Sequence, residues 1–292
     1  MRDIVYIRNA QALTLRGDRL KIRNPATKEE RYMYCDELSV LVLENSRATV
    51  RVDAVNALLR AGATILVCNE KRAPAALVSN EFGYYNKLRV LKLQMALGKK
   101  AKNRLWQKVV RQKIENQLRA LPVASESAIA GFRAYAAEVE EGDSTGREAA
   151  AARGYFPLCF GKGFRRGRHG DIINASLNYG YAVLRAVIRK SLVTHGFEPS
   201  MGFHHDSAEN PFNLSDDVIE PYRPFADMAV MRHIAGGGAD ELDLDMRLLL
   251  LEKTLMSACI VGGKSYVLHD AVEATVVSLL VCYENNSSSG SA

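Results

Sequence analysis

Hydrophobic and polar positions change their period once along this chain. Up to about residue 80 they alternate, as on strands whose two faces meet different surroundings. Residues 4–8, 12–16 and 19–23 are short segments of this kind, the last two joined by Gly17-Asp18 as a tight hairpin turn. Residues 31–35 and 38–43 continue the pattern. One helix follows, with Asp53 as its N-cap and Gly62 as its C-cap, before 63–68 and 75–78 return to strand. The expectation is a small sheet domain with a single helix.

From Asn86 the period lengthens to that of helices and stays so nearly to the end. Leu88, Leu91, Met95, Leu105, Val109 and Ile114 supply an apolar stripe across 86–121, and Trp106 adds a large packing group. The predicted fold class is therefore α+β: a β-rich domain over 1–80, a larger all-helical domain over 81–285, and a low-complexity, disordered tail over 286–292.

Composition narrows this frame without deciding it. The 292 residues, 48% of them apolar, suffice for a substantial core. Five scattered cysteines without a C-x-x-C pair argue against a zinc ribbon or a disulfide framework, and a cytoplasmic setting fits them best. No apolar run reaches the ~20 residues needed to span a bilayer, so a membrane partner is not expected. Net charge is only +6, so its distribution matters more than its size. Residues 86–121 hold eleven Lys and Arg against the single acid Glu115, whereas 206–252 hold eleven acids against three arginines. With acids nearly absent, the basic run loses its usual i,i+4 partners, which points to a polyanion such as a nucleic-acid backbone. The glycine-rich loop 161–170, with Lys162, Arg165, Arg166 and Arg168, does not match a Walker A loop and reads instead as a phosphate contact made by arginine forks.

Candidate chemistry gathers around residues 202–224. Two adjacent histidines, His204 and His205, precede a polar loop. Ser215 reads as an N-cap with Asp216 and Asp217 in the first turn, and Asp217 and Glu220, three apart, share a face. One imidazole and two carboxylates make a half-built metal site, which needs another acid. Glu148, opening a helix of small residues, is the candidate; Thr145-Gly-Arg-Glu148 also fits a capping box, and the two readings stand side by side. Asn174, Asn178, Tyr179 and Tyr181 form a polar ladder on the following helix.

Four motifs together carry a family resemblance. They are Glu-Ala-x-Ala-Ala-Arg-x-Tyr-Phe at 148–156, the Arg-Arg to Asn-Tyr-Gly-Tyr run at 165–181, Gly-Phe-His-His at 202–205 and Asp-Val-Ile-Glu-Pro-Tyr-Arg-Pro at 217–224. The chain resembles the CRISPR-associated adaptation integrase, the Cas-one family, and is most similar to members from type II systems. That resemblance implies a β-rich dimerisation domain followed by a helical catalytic, DNA-binding domain. It places metal ligands at Glu148, His205 and Glu220, with Asp217 as an accessory acid, and Mg²⁺ or Mn²⁺ as cofactor. It implies insertion of foreign DNA spacers into a CRISPR array by 3′-hydroxyl transesterification, with Lys99, Lys100, Lys102, Arg104, Lys162, Arg165, Arg166 and Arg168 meeting DNA. The implied partners are protospacer and repeat DNA, a second copy of this chain, a dimer of the Cas-two protein, the RNA-guided effector nuclease and an accessory adaptation protein. A metal-dependent nuclease of branched or single-stranded DNA that cuts without joining is the alternative, and a non-enzymatic nucleic-acid-binding module is a third. Ala149 and Tyr222 depart from residues common in the family; neither removes a ligand.

Overall fold

A computed structural model describes residues 3–70, 72, 74–78, 86–167, 171–235 and 242–288. The chain divides into two compact units, Met1–Gly83 and Tyr84–Ala292.

In the first unit the alternating segments become strands β1 (Asp3–Ile7), β2 (Ala12–Arg16), β3 (Arg19–Arg23), β4 (Glu30–Tyr34), β5 (Leu38–Leu43) and β6 (Thr49–Val50), then helix α1 (Val52–Arg60), β7 (Thr64–Cys68) and β8 (Pro74–Val78). They form two four-stranded sheets. The first has the order β1-β5-β7-β8, with β8 antiparallel to β7 and the other pairs parallel; the second has the order β4-β3-β2-β6. Register explains the alternation in β3: Leu20 lies opposite Leu15 and Met33, so Leu20 and Ile22 turn inward while Arg19 and Arg23 turn out. Ile7, Leu13, Leu20, Leu41, Leu58 and Ile65 form one buried cluster. Helix α1 starts one residue before the expected cap, with Arg51 as N-cap and Asp53 in the first turn.

The second unit contains α2 (Lys87–Ala96), α3 (Lys99–Ala120), α4 (Glu126–Ala137), α5 (Arg147–Phe160), α6 (Ile172–Thr194), α7 (Asn213–Ile219), α8 (Arg223–Ala235), α9 (Leu244–Leu255), a hairpin of β9 (Ala258–Val261) and β10 (Lys264–Val267), and α10 (Leu268–Ser288). The hairpin, turned at Gly262-Gly263 with φ of +57° and +79°, interrupts an otherwise helical unit. Helix α10 includes 286–288, which the sequence reading assigned to the tail. No described helix is long and apolar enough to cross a membrane.

Helices α3 and α6 organise this unit. Asp171 caps α6 by accepting a 2.7 Å hydrogen bond from the Asn174 amide, and Leu177, Leu184, Ile188 and Leu192 are then buried at helical spacing. Helix α6 packs against α7, α8, α9 and α10; α3 packs against α4, α5, α8 and the short 3-10 turns Glu141–Asp143 and Glu220–Tyr222. The expected continuous stripe over 86–121 does not form, because the helix breaks at Leu97-Gly98 and α3 restarts in a new phase. Leu88 and Met95 are left exposed, and the buried face of α3 is Trp106, Val110, Lys113, Ile114 and Gln117. Lys113, counted from the sequence with the surface cations, lies inside.

Candidate active site in the helical unit

Glu148 stands in the first turn of α5, and its helix is capped from outside. The Asp143 carboxylate accepts from the Arg147 amide at 2.8 Å and the Glu148 amide at 3.1 Å. The capping box proposed for Thr145 and Glu148 is therefore absent: Asp143 already satisfies the free amides. Glu148 is released to reach the Lys113 ammonium, with Oε1 2.5 Å from Nζ.

Glu220 arrives from a different direction. Ser215, expected as the N-cap of α7, is fully buried inside it, because the helix begins two residues earlier at Asn213. The chain then tightens into the turn Glu220–Tyr222 ahead of α8. There the Glu220 side chain is 6% exposed, with Arg223 Nε 2.8 Å from Oε1 and Lys113 Nζ 2.5 Å from Oε2. The ammonium is in ion-pair range of Oε2 but outside hydrogen-bond geometry, so this buried oxygen accepts no hydrogen bond. Burial alone would raise the Glu220 pKa, but Lys113 and Arg223 reverse this and hold it at about 2. The same charges act on Lys113: burial lowers its pKa, Glu220 and Glu148 raise it, and the net shift is upward.

The two histidines are set apart by their partners. Asp217, fully buried, accepts from the amides of Phe203 at 2.6 Å, His204 at 3.0 Å and His205 at 2.9 Å, and from His205 Nδ1 at 2.7 Å. A carboxylate only accepts here, so Nδ1 carries a proton, and in the neutral ring Nε2 keeps its lone pair. Asp217 thus orients His205, a role different from that of an additional metal ligand. The hydrogen bond to Asp217 raises the His205 pKa against the opposing effect of burial. His204 instead stacks on Trp106, with ring centroids 3.8 Å apart and planes 3° from parallel, and burial lowers its pKa. Gly202 permits the turn: a Cβ there would lie 2.2 Å from the His205 carbonyl oxygen and 2.7 Å from Asp217 Oδ2.

A cavity of ≈ 520 Å³ opens beside this cluster, lined among others by Lys113, Arg166, Arg185, Glu220, Arg223 and Asp227. Of the described residues expected to meet DNA, only Arg166 reaches it, and its guanidinium donates to Asn174 Oδ1 at 2.9 Å and Asn178 Oδ1 at 2.7 Å. Lys99, Lys100, Lys162 and Arg165 are exposed, Lys102 is half-buried, and Arg104 pairs with Glu141 at 2.8 Å. Arg168 lies outside the described residues. The cavity also holds a buried relay unseen in the sequence: Tyr181 Oη donates to Asp227 at 2.6 Å, and Arg223 stands over the Tyr181 ring at 4.5 Å. Burial raises the Asp227 pKa to about 6.

Among the described residues, no three His, Cys, Asp or Glu side chains stand together as a metal-holding group. The place between Glu148 and Glu220 is taken by Lys113. The donor set nonetheless suits a hard divalent cation: two carboxylates already face one positive centre, Glu220 Oε2 accepts no hydrogen bond, and His205 offers an oriented imidazole nitrogen.

The architecture defines a class before it defines a family: a β-rich unit followed by a helical unit in which a lysine buried in α3 bridges two carboxylates from separate elements. The same fold is found in a casposase bound to integration product (TM-score 0.80, 18% identity, covering 98% of this chain and 91% of that one). It is also found in a partial Cas6-RT-Cas1–Cas2 complex (TM-score 0.64, 18% identity, covering 98% and 96%). In sequence, the chain is 38% identical over 228 residues to the CRISPR-associated endonuclease Cas1 of Neisseria meningitidis serogroup C (strain 8013), covering 78% of this chain and 74% of that protein. The family model described as CRISPR associated protein Cas1 matches residues 5–256, and the chain belongs to that family.

Proposed function

We propose that this chain is a metal-dependent DNA integrase and endonuclease of CRISPR adaptation, which inserts DNA fragments into a CRISPR repeat. One observation carries this reading: Glu148 of α5 and Glu220 after α7 share a single cation beside a cavity lined by three arginines. Glu148, Glu220 and His205 would hold Mg²⁺ or Mn²⁺, which supplies charge neutralisation at a phosphate when bound. Arg166, Arg185 and Arg223 present guanidinium groups to phosphate oxygens around that point. Asp217 keeps His205 in one tautomer, and Trp106 fixes the neighbouring His204. In the joining step the 3′-hydroxyl oxygen of a fragment attacks a repeat phosphorus. A new phosphodiester forms, the bond to the neighbouring 3′-oxygen breaks, and the proton lost by the attacking hydroxyl is balanced by one taken up at the leaving oxygen. With water as nucleophile the same site cuts without joining, the activity named for the Neisseria relative.

Two such joinings, one at each end of a repeat, need more than one active centre. Two homodimers of the 32.3 kDa chain, paired through their β-rich units and held apart by a dimer of the Cas-two protein, which is present in two of the structural neighbours, would meet that need. The test is a strand-joining assay with a labelled 3′-hydroxyl fragment and a repeat-bearing plasmid. Joining in Mg²⁺ or Mn²⁺ and its loss in EDTA and in Glu148→Ala are expected. Cutting without any joined product would overturn the integrase reading, and full activity of Glu148→Ala would overturn the site.

A further inference from the structure

Resting on the metal reading of this site, we infer that Lys113 is a resident cation that holds Glu148 and Glu220 in the unloaded protein and competes with the divalent ion for the same two oxygens. Its Nζ is 2.5 Å from Glu148 Oε1 and 2.5 Å from Glu220 Oε2, and its side chain is 10% exposed. Both carboxylates come from elements distant in sequence, and Lys113, from the middle of α3, is the group that bridges them. Arg223 serves only Glu220, through Oε1. Without Lys113 the two acids would face each other with one cation between them instead of two, in a setting where unpaired charge is costly.

A divalent ion bound to these acids would lie ~2.0–2.1 Å from their oxygens if it is Mg²⁺. An ammonium 2.5 Å from both oxygens already fills that space, so the ion and the ammonium exclude each other. Lysine can yield. Its charge ends a flexible four-carbon stem, and Lys113 itself lines the ≈ 520 Å³ cavity into which the stem can swing. Loading is thus an exchange in which one cation enters as another leaves. The acids stay in place throughout, and the released ammonium joins Arg166, Arg185 and Arg223 on the cavity wall. Apparent metal affinity is then the intrinsic affinity multiplied by the fraction of molecules with Lys113 withdrawn.

Mn²⁺ titration by calorimetry on the full chain and on Lys113→Met tests this. If the withdrawn form is about a tenth of the population, the variant binds Mn²⁺ about tenfold more tightly. In EDTA the variant should melt below the wild type, and Mn²⁺ should raise its melting temperature by more. Equal or weaker Mn²⁺ binding by the variant overturns this inference alone; no binding by either protein overturns it together with the metal reading. A second measurement needs no variant: amine labelling of the wild type, read by mass spectrometry, should rise at Lys113 when Mn²⁺ is added. Labelling unchanged by a saturating level of bound Mn²⁺ overturns the exchange, even where Lys113→Met fails to fold.

Discussion

The two units bury different things. Among the described residues of the β-rich unit, the buried polar side chains are Ser39, Glu44 and Thr64, set in a core of Leu, Ile and Val. The helical unit buries Lys113, Asp217, Glu220, Asp227 and Arg247 as well as a larger apolar core. Removing charges from water destabilises a fold unless each is paired, and a well-packed apolar group in the same place is often at least as stable. A unit whose described residues bury five Lys, Arg, Asp and Glu side chains has been shaped by something besides stability. The β-rich unit shows the opposite economy, with its cations Arg19 and Arg23 turned outward while Leu20 and Ile22 turn in.

The sharpest way to break that contrast is to remove a buried charge. Glu220→Ala leaves Lys113 and Arg223 without their shared partner and should cost about 3–5 kcal/mol of stability, seen in urea unfolding. Glu148 is 30% exposed, so Glu148→Gln should cost much less stability, yet it should lower strand joining roughly a hundred- to thousandfold, because it removes a ligand of the ion that would neutralise the developing charge. A Glu220→Ala protein as stable as the wild type would show that the buried charges are not coupled as their distances indicate.

A smaller effect is expected at Gly202. Its Cα faces the His205 carbonyl and the Asp217 carboxylate so closely that Gly202→Ala must displace the histidine loop, costing about 1–3 kcal/mol. Joining per folded molecule should fall as well, because Asp217 then loses its grip on His205. An unchanged melting temperature and rate would mean that the loop repacks freely.

How far the sequence foretold this depends on the period of each element. Strands β2, β3 and β5 were legible to the residue, because alternation and a two-residue turn leave few options. The split into two sheets was not, since strand order rests on long-range pairing that periodicity does not encode. Glu148, His205 and Glu220 were nominated by motif; Glu148 lies in the first turn of α5, Glu220 in the short turn ahead of α8, and His205 in the loop between α6 and α7. Lys113 was missed although a signal existed: Trp106, Val110, Lys113 and Gln117 are spaced four, three and four apart, which is the buried face of α3. A stripe drawn from apolar residues alone excludes a lysine by construction. Asp143 and Asp227 left no comparable trace, as a cap across a turn and an acid in the middle of a helix both look ordinary.

Salt dependence probes the exposed cations. Lys99, Lys100 and Arg165 have no described acid within ion-pair range and are free to meet phosphates. If they do, duplex affinity should fall with salt at a log-log slope of about −0.9 per phosphate neutralised, and each charge removed should flatten it by roughly that step. Replacing Lys99 and Lys100 by Gln without changing the slope would show that these charges face only solvent. In EDTA, Lys113→Met should leave the slope almost unaltered, because there the buried cation neutralises its own carboxylates and no phosphate.

The weakest expected effect comes from an ion pair that is exposed where the Lys113 pair is buried. His195, the C-cap of α6, places Nε2 2.5 Å from Glu273 Oε1 on α10, and Ser191 Oγ donates to Oε2 at 2.5 Å. The hydrogen bond to Glu273 raises the His195 pKa, and the same bond lowers that of Glu273. The raised histidine contributes stability that is fully present below its unfolded pKa of about 6.5 and is lost as pH rises through the folded value. The depressed carboxylate contributes stability that is present above its unfolded pKa of about 4.3 and is lost as pH falls through its lower folded value. Both contributions therefore overlap between about pH 4.3 and 6.5. Glu273 is 51% exposed, so solvent screening limits the pair to less than about 1 kcal/mol. Glu273→Gln should lower the urea midpoint slightly at pH 5.5 and by less as pH rises through the folded value of His195, where the imidazole loses its charge. A loss as large as that of Glu220→Ala would mean that burial is not what separates the two pairs, and the contrast between charge at the surface and charge in the core would have to be drawn elsewhere.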